Sequence, residues 1–173
     1  MTNLAHARAL LSHDEIERLY EETRGAIRSY LLYLGVPAAQ AQEVTQEVYL
    51  RLYQTVRKGQ EIENVRAWLF RVAHHQGLKV RAREKSFHMV NPDWERFAQP
   101  EAESPERQLL QRERMSRIVS ALESLSPQQR NCLYLRSEGL RYREIAEVMG
   151  ISLSSVNEFL RRGIARLVEA VHG

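Results

Sequence analysis

The 173-residue chain holds one cysteine, Cys132, inside an apolar helical stretch. A lone cysteine closes no disulfide within a chain. The sequence therefore reads as one that folds in a reducing cytosol, with Cys132 as a small core residue. No apolar run approaches the ~20 residues of a membrane span. The first residues (Thr2, Asn3, His6, Arg8) have no apolar secretion-signal core. The expectation is a cytoplasmic protein without membrane insertion. Catalytic patterns are also missing: there is no phosphate-loop glycine pattern, no nucleophile elbow and no paired catalytic carboxylates. His74-His75 is a poor metal pair, because adjacent helical residues point about 100° apart. No cysteine or carboxylate stands near them at ligand spacing. The chain is thus expected to be no enzyme and to carry no cofactor or metal. Strand signals are nearly absent.

What is present is helical periodicity. With 43% hydrophobic residues, the chain supports one ordinary domain or two small ones. A first helix is expected from Ser12 or Asp14 to Leu34. Its stripe is Ile16, Leu19, Tyr20, Ile27, Tyr30, Leu31 and Leu34, and Gly35-Val36-Pro37 stops it. A second, from Ala38 to Arg57, turns Val44, Val48, Leu52, Tyr53 and Val56 inward and breaks at Lys58-Gly59-Gln60. A third runs from near Asn64 to about Lys85, with Val65, Trp68, Leu69, Val72 and Ala73 on its buried face. The pattern fails over 86–107, where Pro92, Pro100 and Pro105 accompany acids. Helical signal returns near Glu106 and continues through Leu109, Leu110, Ile118, Leu122 and Leu125. Ser126-Pro127 caps a further helix that carries Cys132, Leu133 and Leu135 and ends at Gly139. The predicted fold class is all-α. Two small helical domains, 12–86 and 112–172, are joined by a flexible acidic linker over 87–111.

Charge is unevenly placed. The net charge is only +3, yet residues 66–85 carry Arg66, Arg71, Lys79, Arg81, Arg83 and Lys85 against Glu84 alone. Such a block neutralises nucleic-acid phosphates. A solvated face that suits the helix dipole is the plainer alternative. Trp68 and Phe70 lie near its start, where aromatics stack on unpaired bases. Trp68 shares a face with Val65, Leu69 and Val72, so core packing is its better reading. The following acidic stretch has Asp93, Glu95, Glu101, Glu103 and Glu106 against Arg96 and Arg107. On the second helix, Glu43, Glu47, Leu50, Arg51 and Gln54 fall opposite the buried stripe, an arrangement that suits a protein partner.

The most informative stretch is 142–162. It reads as two short helices around a turn at Gly150, where positive φ is needed. Ala146 is small where the helices cross, and Ile145, Met149, Ile151, Val156 and Leu160 fall on one buried side. This is a helix-turn-helix pattern. A plain three-helix bundle with a tight turn imitates it. In the DNA-binding reading, Ser154, Ser155, Asn157, Glu158, Arg161 and Arg162 face outward. Serines and the helix N-terminus hold phosphates, Asn157 reads adenine edges and the arginines reach guanine or phosphate. Glu158 is repelled by phosphates unless it accepts from a cytosine amino group.

Residues 41–53 (AQEVTQEVYLRLY) resemble the second conserved region of bacterial sigma factors, and 66–73 (RAWLFRVA) resembles the segment that follows it in the small extracytoplasmic-function class. Residues 121–130 (ALESLSPQQR) and 139–152 (GLRYREIAEVMGIS) resemble the family's fourth region. Together they cover most of residues 15–170. The resemblance implies an alternative sigma factor that binds core RNA polymerase and directs promoter recognition and transcription initiation. By match, Glu43, Gln46, Glu47, Leu50, Arg51 and Gln54 dock on the clamp of the polymerase's largest subunit. The loop around 58–66 and the basic helix capture the minus-ten element of promoter DNA. The helix-turn-helix reads the minus-thirty-five element and meets the flap. An acidic linker strand mimics nucleic acid in the active-site channel, and an anti-sigma factor is a further expected partner. The sequence departs from the pattern at Thr45, at His75 and Lys79, and at Asn157 and Phe159 around Glu158. Two other readings stand beside this one: a conventional helix-turn-helix regulator, and a sigma-like decoy that binds polymerase or an anti-sigma factor.

Overall fold

The computed structural model describes residues 11–84 and 104–172. Among these residues there are seven α-helices and no strand. The chain divides into two compact units, one built on the first three helices and one on most of the last four.

The N-terminal unit contains α1 (His13–Tyr33), α2 (Ala38–Arg57) and α3 (Val65–Arg83), each packed on the other two. Ser12 starts α1 with a reciprocal box: its hydroxyl accepts from the Glu15 amide, and the Glu15 carboxylate accepts from the Ser12 amide at 2.7 Å. Gly35, at φ 86°, ends it and lets the Val36 amide reach the Leu31 carbonyl at 3.0 Å. Asn64 caps α3 by accepting from the Ala67 amide. The core holds Ile27, Tyr30, Leu31, Val36, Val48, Leu52, Leu69 and Phe70, all with no exposure. Each such side chain contributes about 1.5–3 kcal/mol by leaving water. Tyr30 meets Phe70 edge-on at 5.4 Å, and Tyr20 meets Tyr49 at 4.8 Å.

Two polar contacts cross this core. The Thr23 hydroxyl donates to the Leu19 carbonyl, so Tyr49 must donate to Thr23 at 2.6 Å. Burial pushes the Tyr49 phenol up to about 12, which keeps that proton in place. The Tyr30 hydroxyl bonds His74 Nδ1 at 2.8 Å. The inward face of α3 keeps Leu69 and Ala73 of the predicted stripe but is turned away from its other three residues. Ala67, Leu69, Phe70, Ala73, His74 and Gly77 are buried, whereas Val65, Trp68 and Val72 are half-buried. Gly77 leaves room for α1: a Cβ there would stand 3.0 Å from Leu31 Cδ2.

The C-terminal unit contains α4 (Pro105–Glu123), α5 (Pro127–Ser137), α6 (Tyr142–Met149) and α7 (Leu153–His172). Helices α4 and α5 both pack on α7. The sequence places residues 105–111 in the linker, but they are the first two turns of α4. Pro105 starts that helix instead of breaking it, because the first helical position needs no amide donor. Ser126 and Gln129 form a second reciprocal box at α5, at 3.0 and 3.2 Å. Leu122, Leu125, Cys132, Leu135, Leu140, Val156 and Leu160 are buried. Gly163 lies beneath Leu133, where a Cβ would meet Leu133 Cδ1 at 2.9 Å. Arg166 donates to the Ser124 carbonyl at 3.0 Å and so closes the end of α4 onto α7.

Candidate nucleic-acid and protein interfaces

The outward stripe of α2 follows from helical spacing. Glu43, Glu47, Leu50, Arg51 and Gln54 recur at steps of four and three, opposite the buried Val44, Val48 and Leu52. Glu43, Gln46, Leu50, Arg51 and Gln54 are exposed, and Glu47 is half-buried. Leu50 leaves half its surface in water. Arg51 Nε donates to Glu47 at 2.7 Å, a pair worth about 0.2–0.5 kcal/mol on a helix surface. With the Gln76 amide turned to suit its neighbours, its oxygen accepts from both Arg51 terminal nitrogens at 2.7 and 2.8 Å. Gln76 thus joins this face from α3. The sequence pattern does not reveal it, because nothing local to residue 76 points to Arg51.

On α3, Arg71, Lys79 and Arg83 belong to one row with His75 between them, at four-residue steps. Lys79 and Arg83 are exposed, and Arg71 and Arg81 are half-buried. Among the described residues, Lys79 and Arg83 have no carboxylate partner. Arg66 lies apart from this row, with its guanidinium 5.5 Å over the Phe70 ring. Phe70 is fully buried, so it is a core residue and not a stacking platform for a base. Lys85 lies outside the described residues. His74 is taken up by Tyr30 and buried. Burial first, and His75 second, push its pKa down to about 4, so the ring is neutral.

The helix-turn-helix is built by short-range bonds. Glu144 accepts from the Arg141 amide at 2.7 Å at the start of α6. At its end, Gly150 takes φ 65° and the Ile151 amide reaches back to the Ala146 carbonyl at 3.1 Å. Ser152 then caps α7 by accepting from the Ser155 amide at 3.1 Å. Ile145, Val156 and Leu160 are buried as their spacing predicts, but Met149 and Ile151 are only half-buried and Val148 is buried instead.

The outward residues of α7 are more occupied than the sequence suggests. The hydroxyls of Ser154 and Ser155 both bond Ser152, at 2.9 and 2.7 Å. The Asn157 amide nitrogen donates back to the Leu153 carbonyl at 3.0 Å. Glu158 accepts from Arg161 Nε at 3.1 Å and Nη2 at 3.0 Å, and from Arg162 Nε as well. The Arg161 hydrogen bonds hold the Glu158 carboxyl below its ordinary range. The signal for this cluster is in the sequence: the arginines stand three and four residues after the acid.

Two family models match this chain. One described as Sigma-70 region 2 matches residues 19–86, and one described as Sigma-70, region 4 matches residues 115–167. RNA polymerase sigma factor YlaC of Bacillus subtilis is 28% identical, over 86% of this chain and 87% of its own. ECF RNA polymerase sigma factor SigL of Mycobacterium tuberculosis is 31% identical, over 86% of this chain and 84% of its own. Among solved structures, CnrH in complex with the cytosolic domain of CnrY superposes with a TM-score of 0.60 at 18% identity, covering 93% of this chain and 90% of that one. The sigma factor RpoE with the anti-sigma factor NepR from Bartonella quintana gives 0.59 at 19% identity, covering 92% and 98%. At those identities the two structures establish the fold alone.

Proposed function

The chain belongs to the sigma-70 family of RNA polymerase sigma factors, in its extracytoplasmic-function class, and on that footing we propose which of its surfaces do the work. It is an alternative sigma factor that binds core RNA polymerase and directs promoter recognition and transcription initiation. The α2 stripe, with Leu50 at its centre, meets the clamp of the largest polymerase subunit. Glu43, Gln46, Glu47, Arg51 and Gln54 surround that contact. The cationic row of α3, Arg71, Lys79 and Arg83, takes the phosphates of the minus-ten element. Arg66 and Arg81 flank it, and Lys85 extends it in sequence. Helices α6 and α7 enter the duplex at the minus-thirty-five element through Ser154, Ser155, Asn157, Arg161 and Arg162, and the same unit meets the flap.

The observation that carries this assignment is the pairing, on one small unit, of an exposed apolar side chain within a charged stripe and a cationic row whose Lys79 and Arg83 have no acid partner among the described residues. Opening each base step costs a few kcal/mol. Neither unit need bind DNA tightly alone, because attachment to polymerase raises the effective concentration of the other. Sigma factors are non-enzymatic, and in this reading the chain catalyses no reaction and holds no cofactor. It acts in the cytoplasm, where polymerase is. Among the described residues no helix is long and apolar enough to cross a membrane. An anti-sigma factor is the further partner, as in the RpoE–NepR structure of similar fold. Residues 12–86 and 112–172 are the two working domains.

Run-off transcription from a fragmented genomic library, using core polymerase with and without the chain, tests this reading. New transcripts that share two spaced upstream elements are expected. Co-migration with core polymerase without transcripts would overturn it in favour of a decoy.

A further inference from the structure

We propose that Glu158 is a specificity-determining residue of the duplex contact: it gathers Arg161 and Arg162 so that α7 presents base edges with a carboxylate–guanidinium fork. The inference rests on the reading of α6 and α7 as the duplex-binding motif.

Glu158 stands in the second turn of α7, one helical step beyond Ser154. Both of its oxygens accept from Arg161, and Oε1 also accepts from Arg162. The side chains of the two arginines remain 69% and 63% exposed, and that of Glu158 39% exposed. The fork therefore faces solvent and is not part of the core. The neighbouring polar groups are turned back on the helix, the serines to Ser152 and Asn157 to Leu153. Those contacts engage the serine hydroxyls and one Asn157 hydrogen, and leave the Asn157 oxygen and second amide hydrogen for a base.

The chemistry of the fork is directional. Arg161 donates to Glu158 through Nε and Nη2, which leaves its Nη1 donors for a base. Those donors suit O6 and N7 of guanine, and the carboxylate takes the N4 amino group of cytosine when the exposed Arg162 arm swings off Oε1 to a phosphate. A fork that joins both reads a C·G pair. Two arginines on one acid also present less charge to phosphates than two unpaired arginines. The acid that weakens sequence-independent attraction is the same one that supplies the base reading.

The test uses holoenzyme formed from the full chain and core polymerase. A promoter library with a randomised upstream duplex is sorted by binding at two salt concentrations. The wild-type chain is expected to enrich cytosine at one position of one strand. Glu158→Ala lowers that enrichment roughly fivefold or more. It also binds unselected duplex more tightly, with a log–log salt slope steeper by about one to two. Glu158→Gln keeps the helix and the amide acceptor, and shifts the preference at that position towards adenine. Unchanged base preference and slope in Glu158→Ala would overturn the proposal. So would a uniform loss of binding to every sequence, which would leave Glu158 a helix-stabilising role only. If the wild-type holoenzyme itself shows no upstream preference, the duplex reading of α6 and α7 fails first.

Discussion

The two surfaces assigned to DNA treat their cations in opposite ways. On α3, five cations face one acid over residues 65–84, and Lys79 and Arg83 have no carboxylate partner among the described residues. On α7, three arginines share the helix with two acids, and two of the three sit on Glu158. Unpaired cations attract any phosphate, and that suits a strand being separated regardless of its sequence. Paired cations give up part of that attraction and keep direction, which suits reading base edges. In the proposed assignment, the chain divides attraction and discrimination between its two units.

The largest expected effect tests whether docking lies in the N-terminal unit alone. Leu50→Asp places a charge at the centre of the α2 stripe without touching the core. Co-migration with core polymerase and run-off transcript yield should both fall at least about tenfold, with an unchanged melting temperature. A drop in melting temperature would mean that Leu50 is structural.

Next comes acid. An unfolded histidine titrates near 6.5, whereas folded His74 is held near 4. Between those values the unfolded chain binds a proton that the folded chain refuses. Stability is complete above about pH 6.5 and falls as pH drops toward 4, by up to about 3 kcal/mol. Chemical denaturation across this range, monitored by a probe in the N-terminal unit, should show the decline, and His74→Gln should remove its upper part. A decline of equal size in that variant would assign the effect to carboxylates.

The contrast between the two cationic surfaces is sharpened by charge removal. In the holoenzyme, Lys79→Ala with Arg83→Ala should make the log–log salt slope of binding shallower by about 1.4, about 0.7 for each phosphate of a separated strand no longer neutralised. Arg162→Ala, which removes an already paired charge, should change it less. Equal slopes would erase the distinction. The smallest effect is on helix ends: Ser126→Ala opens the box at α5 and should cost about 1 kcal/mol by thermal unfolding.

Helix boundaries are legible in the sequence where local chemistry sets them. Ala38–Arg57 and the Ser126-Pro127 start can be read directly, because caps, glycines and prolines act within a few residues. The start of α4 cannot, since a proline among acids looks the same in a linker and at a first helical turn. The buried face of α3 is hidden for a different reason. His74 is stabilised inside by Tyr30, 44 residues away, and Gly77 by the approach of α1, and neither partner is visible in a local pattern. The outward stripe of α2 is legible because spacing alone fixes it. On α7 the Glu158–Arg161–Arg162 cluster is legible from its spacing, but the serines and Asn157 read as open donors, whereas the fold turns them onto Ser152 and the Leu153 carbonyl.

Cys132 has a practical consequence. It is the only cysteine in the sequence, it has no exposed surface, and burial pushes its thiol up to about 11. At neutral pH it is almost entirely a thiol, and the thiolate is the form that reacts. A cysteine placed at an exposed position such as Gln42 or Leu110 would accept a maleimide dye as the sole reactive site. The unmodified sequence is therefore already a labelling background, and a fluorophore on either unit can report its encounter with polymerase without any change to the core.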